Sequence, residues 1–161
     1  MIETTVKAAI LSNADEADAV VTILDAYARE PIAGGSPLSG EVKERLIPVL
    51  RDHPGAIVVL ASVADAKIGL AICFLGLSTF AARPVLNLQD LVVVPEYRGQ
   101  GVGRLLLRAV EEEARSRGCC KLTLEVRADN LRARTLYRSW GFRDCAAAGA
   151  QLPVYFLDKP L

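Results

Sequence analysis

The stretch that decides the fold is Leu91 to Gly118, "LVVVPEYRGQGVGRLLLRAVEEEARSRG". An apolar run ends at Pro95, passes glycines at 99, 101 and 103, and resumes with apolar residues at helical spacing through Val102, Leu105, Leu106, Ala109, Val110 and Ala114, until Gly118 stops it. A strand that turns into a helix this way exposes unpaired backbone amides at the positive end of the helix dipole, so an anion is the natural guest. Bare glycines let phosphate oxygens approach those amides closely. Arg98 and Arg104 bracket the loop and are candidates for charged hydrogen bonds to a phosphate. Two familiar phosphate loops are excluded. The dinucleotide fingerprint GxGxxG fails because Arg104 stands at the third glycine position, and no GxxxxGK followed by Ser or Thr is present. The plain structural alternative is that the glycines only permit a tight turn.

Outward from this segment the pattern is mixed. Residues 56–63 and 67–76 read as strands joined by a turn at Ala64-Asp65-Ala66, and residues 85–94 as a third strand. Asn13 and Asp15 offer caps for a helix over 14–30, "EPIAGGSPLSG" is a loop, and Ser39 opens a second amphipathic helix with Pro48 late in it. "CKLTLEVR" (120–127) alternates apolar and polar residues, with Glu125 on the polar side. "DNLRARTLYRSWG" reads as a short helix with Ala133, Leu136, Tyr137 and Trp140 on one stripe, and residues 148–158 as a last strand. The fold class is α/β in the α+β sense, one domain over 1–161, with no linker and no repeat.

The 161 residues are 52% hydrophobic and 24% charged, a globular composition. Nineteen basic and nineteen acidic side chains cancel, which argues against nucleic acid as the main partner. No apolar run reaches the length of a membrane span and no signal peptide is visible, so the expected compartment is the cytoplasm and no membrane partner is expected. Four cysteines lack CxxC spacing and His53 is the sole histidine, so no metal site is expected. Proton transfer must therefore use a carboxylate, a tyrosine or water.

Arg98-Gly99-Gln100-Gly101-Val102-Gly103 fits (Q/R)xxGx(G/A), and "EVRADNLRARTLYRSWGF" supplies a second block. Together they resemble the GNAT superfamily of acetyl-CoA-dependent N-acetyltransferases. The resemblance implies a GNAT-like fold, a central mixed and mostly antiparallel sheet of six to seven strands flanked by about four helices. Within it, "LSTFAARPVLNLQDLVVVPEYRGQGVG" is similar to the spermidine/spermine (diamine) acetyltransferase branch, which carries two acidic residues where this chain has Gln89-Asp90.

The resemblance further implies the site. Coenzyme A binds at Arg98, Gly99, Gln100, Gly101, Val102, Gly103 and Arg104; read from the residues alone, Arg104 and Arg108, one turn apart, either reach the coenzyme phosphates or only balance the acidic run at 111–113. Backbone amides of Val92, Val93 and Val94 meet the pantetheine arm and the acetyl oxygen, an oxyanion hole made without side chains. Asn130 contacts the pantetheine arm, although as a helix cap it needs no such role. Tyr137 protonates the leaving thiolate, although it also completes an apolar stripe. Asp90 is the first candidate for accepting the amine's proton and Glu125 the second, directly or through water; Glu125 reads equally as a solvated residue. Asp25, Tyr27 and Glu30 end the first helix, where an acidic rim suits a cationic amine, and Gly34-Gly35 reads first as a flexible connector and second as a lid. The expected activity is direct transfer of an acetyl group from acetyl-CoA to a primary amine of a small molecule or peptide, by a homodimer. The alternative is a non-catalytic acyl-CoA-binding or regulatory domain on the same fold, which has no need of an acid at Tyr137.

Overall fold

The computed structural model describes residues 3–143. By contact they divide into two compact units at the Glu125–Val126 bond. The first holds β1 (Thr4–Ala8), α1 (Ala14–Ala28), α2 (Gly40–Asp52), β2 (Ala56–Val63), β3 (Ala66–Ser78), β4 (Arg83–Val93), α3 (Val102–Ser116) and β5 (Lys121–Leu124); the second holds α4 (Leu131–Ser139). The sheet runs β1-β2-β3-β4-β5, with antiparallel neighbours except the parallel β4–β5 pair. This is the expected mixed, mostly antiparallel arrangement with four helices. It has five strands among the described residues where six to seven were expected, and the strand expected over 148–158 lies outside them. No helix among the described residues is long and apolar enough to cross a membrane.

Local chemistry explains the helix starts. The Asn13 side chain accepts from the Glu16 amide at 3.0 Å and caps α1. Glu16 in turn accepts from the Ile10 amide at 2.6 Å and pairs with Lys7 at 2.7 Å, which ties the helix to β1. Ser39 caps α2 through the Val42 amide at 3.2 Å.

Side chains alternate across a strand, so neighbouring residues on β3 serve opposite faces. Leu70 and Ile72 pack with Val20 and Ile23 of α1, Leu50 of α2, Val58 and Leu60 of β2, and Val92 of β4. Gly69, on the other face, lies under α3. A methyl group there would stand 3.0 Å from Leu106 Cδ1, 3.2 Å from the Val92 carbonyl and 3.3 Å from Val102 Cγ1. Gly69→Ala is therefore expected to overpack the seat of α3 and cost about 1–3 kcal/mol of stability. Urea unfolding checks this, and an unchanged midpoint would mean that α3 has room to retreat.

One irregularity shapes the site. Ile72 opposes Asp90 but Cys73 opposes Leu88, so Gln89 is an extra residue, a β-bulge in β4. The bulge flips the alternation. Leu86 and Leu88 share the α3 face with Cys73, whereas Asp90 and Val92 share the α1/α2 face with Ile72 and Leu70.

Candidate active site

β4 pairs with β5 only from Val85 to Leu88, against Lys121 to Leu124. From the bulge onward its β5-side edge has no strand partner among the described residues. On the other edge the Val94 amide donates to the Ile68 carbonyl at 2.9 Å. Hydrogen bonding alternates along an antiparallel strand, so Asp90, Val92 and Val94 turn their amides to β3, and Leu91 and Val93 turn theirs to the open edge. Of the three valines expected to present amides, the geometry selects Val93. Leu91 joins it, a residue the sequence reading did not single out. The signal for it was the adjacent polar pair Gln89-Asp90, which breaks the apolar alternation of the strand and marks the bulge.

Beyond β4 the chain makes a short 3-10 turn, Pro95–Tyr97, and enters the glycine loop. Gly99 and Gly101 adopt φ of +80° and +88°, a region costly for any side chain, and Gly101 is the N-cap residue of α3. The turn requirement is therefore real. It is not the whole account, because a Cβ at either glycine would meet nothing within 4 Å among the described residues, which leave the space above the loop open. The Gly101 carbonyl accepts from Arg104 and Leu105 at 2.9 and 3.1 Å. Among the described residues, no group accepts from the backbone amides of Gly99, Gln100, Gly101, Val102 and Gly103. Bare amides at a helix start are suited to a phosphate. The Gln100 side chain is occupied, donating to the Glu96 carbonyl at 2.9 Å, and Arg104 is exposed in the first turn of α3.

Arg98 has a different task from the phosphate contact expected of its side chain. Its Nε donates to the Val93 carbonyl at 2.7 Å, and its two terminal nitrogens hold both oxygens of Glu30. The reason is local: the Val93 carbonyl faces the unpaired edge and needs a donor.

The rim acids are also paired internally. Asp25 holds Lys43 and Arg29, each at 3.0 Å, and accepts from the Leu38 amide at 2.8 Å. The Lys43 ammonium first, then Arg29 and that amide, keep its carboxyl below the usual aspartate range. The Gly34-Gly35 segment, expected to be a flexible connector, is a bonded turn. Gly35 and Ala33 donate to the Glu30 carbonyl at 3.0 and 2.9 Å, and Ser36 donates to that of Ala28 at 3.1 Å.

Asp90 differs from these acids. Its carboxylate is half-buried on the α1/α2 face and has no hydrogen-bond or ion-pair partner among the described residues, and burial pushes its carboxyl above the ordinary range. Glu125 lies past the end of β5 and is exposed, not on a strand face as its alternation suggested. Cys73 is fully buried and its thiol is pushed up to about 12, chiefly by that burial, so it is a core residue and not a nucleophile.

In the second unit, Asn130 is the N-cap of α4 and accepts from the Ala133 amide at 3.1 Å. Tyr137 is buried, its ring edge-on to Phe142 at 5.7 Å between centroids. The structure thus brings Asp90, the Leu91/Val93 edge and the glycine loop together in the first unit, and places Asn130 and Tyr137 on one helix of the second.

The family model described as "Acetyltransferase (GNAT) family" matches residues 20–142. A thialysine N-epsilon-acetyltransferase of Mus musculus is 30% identical over 123 residues, 76% of this chain and 66% of that protein. The Bos taurus thialysine N-epsilon-acetyltransferase is 38% identical over 81 residues, 50% of this chain and 47% of that protein. The chain thus spans about half to two thirds of the length of these curated relatives. Among solved structures, an aminoglycoside acetyltransferase from an uncultured soil metagenomic sample superposes with a TM-score of 0.75 at 15% identity, covering 98% of this chain and 97% of that one. That likeness is one of fold.

Proposed function

The chain belongs to the GNAT acetyltransferase family, and we propose that it transfers the acetyl group of acetyl-CoA directly to a primary amine of a small molecule or peptide. The observation that carries this reading is an edge of β4 that has no strand partner among the described residues, with two outward amides, running into a loop whose amides none of those residues engages, at the start of α3. The loop amides suit the coenzyme's pyrophosphate, with Arg104 as a charged contact on the adjoining turn. The Leu91 and Val93 amides suit the pantetheine arm and the acetyl carbonyl, whose oxygen gains negative charge as the amine attacks.

An alkyl amine is almost wholly protonated at neutral pH, with a pKa near about 10.4, and must lose a proton to attack. Asp90 is the group to take it, because its carboxyl is half-buried on the α1/α2 face, has no partner among the described residues, and is raised by burial, which makes it a better base than an ordinary aspartate. The C–N bond forms, the C–S bond breaks, and the thiolate takes a proton from Tyr137, the role its motif position implies. Asn130 caps α4 and, in the same reading, contacts the pantetheine arm. The relatives named for thialysine support a small amine as acceptor.

The family match crosses the Glu125–Val126 boundary, which supports treating 1–161 as one N-acetyltransferase domain. We place the enzyme in the cytoplasm as a homodimer; the free thiols Cys73, Cys119 and Cys120 suit a reducing compartment. The test is thiol release from acetyl-CoA across diamines, amino acids, aminoglycosides and peptide N-termini, with coenzyme affinity by calorimetry. Coenzyme binding with turnover on an amine is expected. No coenzyme binding overturns the reading.

A further inference from the structure

Glu30 and Arg98 are 68 residues apart in sequence, and their side chains are 28% and 26% exposed. Glu30 is the N-cap residue of the Pro31–Ala33 turn, and its carbonyl gathers the amides of Ala33 and Gly35, so it anchors the loop that follows α1. Arg98 stands where the Pro95–Tyr97 turn gives way to the glycine loop, and its own amide donates to the Pro95 carbonyl at 3.2 Å. One guanidinium thus joins three places: the loop after α1, the base of the glycine loop, and the Val93 peptide on the open edge of β4.

We propose that Glu30 is a positioning residue that acts through Arg98. It does not hold the amine. It fixes the guanidinium, which fixes the Val93 peptide and the start of the glycine loop in the geometry the coenzyme requires. This rests on the function proposed above and goes beyond it, since it gives an acid on the acceptor side a role in coenzyme binding. The physical basis is planarity. A forked, two-point pair between guanidinium and carboxylate sets the plane of the guanidinium, which a single contact leaves free to rotate. With that plane set, Nε stays on the Val93 carbonyl, and the amide of the same residue keeps its direction.

The alternative is a carboxylate that recruits a cationic acceptor, and the two roles predict different constants. Glu30→Gln is expected to weaken coenzyme affinity, measured by calorimetry without any amine, by on the order of tenfold. Arg98→Gln should do the same, and the double variant Glu30→Gln/Arg98→Gln should be no worse than the poorer single one, because both act through one contact. Glu30→Asp, which keeps the charge and two acceptor oxygens, should recover part of the loss. Melting curves confirm that each variant is folded at the assay temperature, so a lost fold is not read as lost affinity.

Unchanged coenzyme affinity in Glu30→Gln, with or without a raised KM for the amine, overturns the proposal. So does a double variant whose losses simply add. A wild-type protein that fails to bind coenzyme sinks both this inference and the proposed function, whereas wild-type binding that Glu30→Gln leaves untouched sinks this one alone.

Discussion

Asp90→Asn lowers kcat by about a hundred- to ten-thousand-fold, the range for removing a positioned proton acceptor, and raises the melting temperature at neutral pH. The two effects share one cause. The Asp90 carboxyl is half-buried, has no partner among the described residues, and is raised by burial. A carboxyl whose folded pKa lies above its unfolded value costs nothing at low pH, where both states are protonated, and costs most once the pH has risen through the folded value. Its replacement by a neutral isostere therefore stabilises the protein near pH 7, and the gain shrinks on acidification. Activity moves the other way. The reactive form is the carboxylate, so the acid limb of kcat/KM rises through the Asp90 pKa, above the ordinary aspartate value of about 3.9. A scan of melting temperature against pH, beside a pH–rate profile, reads both. A variant with normal kcat and a raised amine KM would make Asp90 a holder of the amine, and a lowered melting temperature would reveal a partner for the carboxylate.

Tyr137→Phe should cost about a hundredfold in kcat, at the lower end of the range for acid–base groups. The loss is limited because the leaving group is a thiol of pKa near about 8.5, already a tolerable anion, so its protonation is only part of the barrier. Phenylalanine keeps the ring and its edge contact with Phe142, and coenzyme affinity should be unaffected because the proton transfer follows binding. Single-turnover rates at saturating acetyl-CoA, set beside calorimetric affinity, separate the outcomes. An unchanged rate removes the tyrosine from the chemistry.

Local signals carried most of the fold. The caps at Asn13 and Ser39, the apolar stripe of α3 and the limits of β2 were all legible, because each is set by neighbours in sequence. β1 was not. Its residues, Thr4–Ala8, are an edge strand with little burial and no apolar stripe, and only pairing with β2 makes them a strand. β5 ends at Leu124 although its alternation continues to Arg127, because its partner strand turns away at the bulge. In the site, the glycine loop and Asp90 were read from the motif and the strand. The outward turn of the Val93 amide, against the inward turn of those of Val92 and Val94, was not, since amide direction depends on cross-strand register. Nor was the task of Arg98. The motif brings that arginine to the loop, but its partner Glu30 comes from another element, and nothing local to either residue announces the pair.

The bulge at Gln89 makes β4 two half-strands with separate obligations. Residues 83–88 answer to α3 and β5, and residues 90–93 to the α1/α2 face and the open edge. A change of acceptor preference can thus be sought at Asp90 and its same-face neighbours while the half that holds the sheet together stays fixed. Deleting Gln89 alone would make Leu88 and Asp90 consecutive, opposite Cys73 and Ile72 as they already are, so every side chain would keep its face and only the bend of the bulge would go. The faces of the strand are set by the count on either side of Gln89, and its local bend by Gln89 itself.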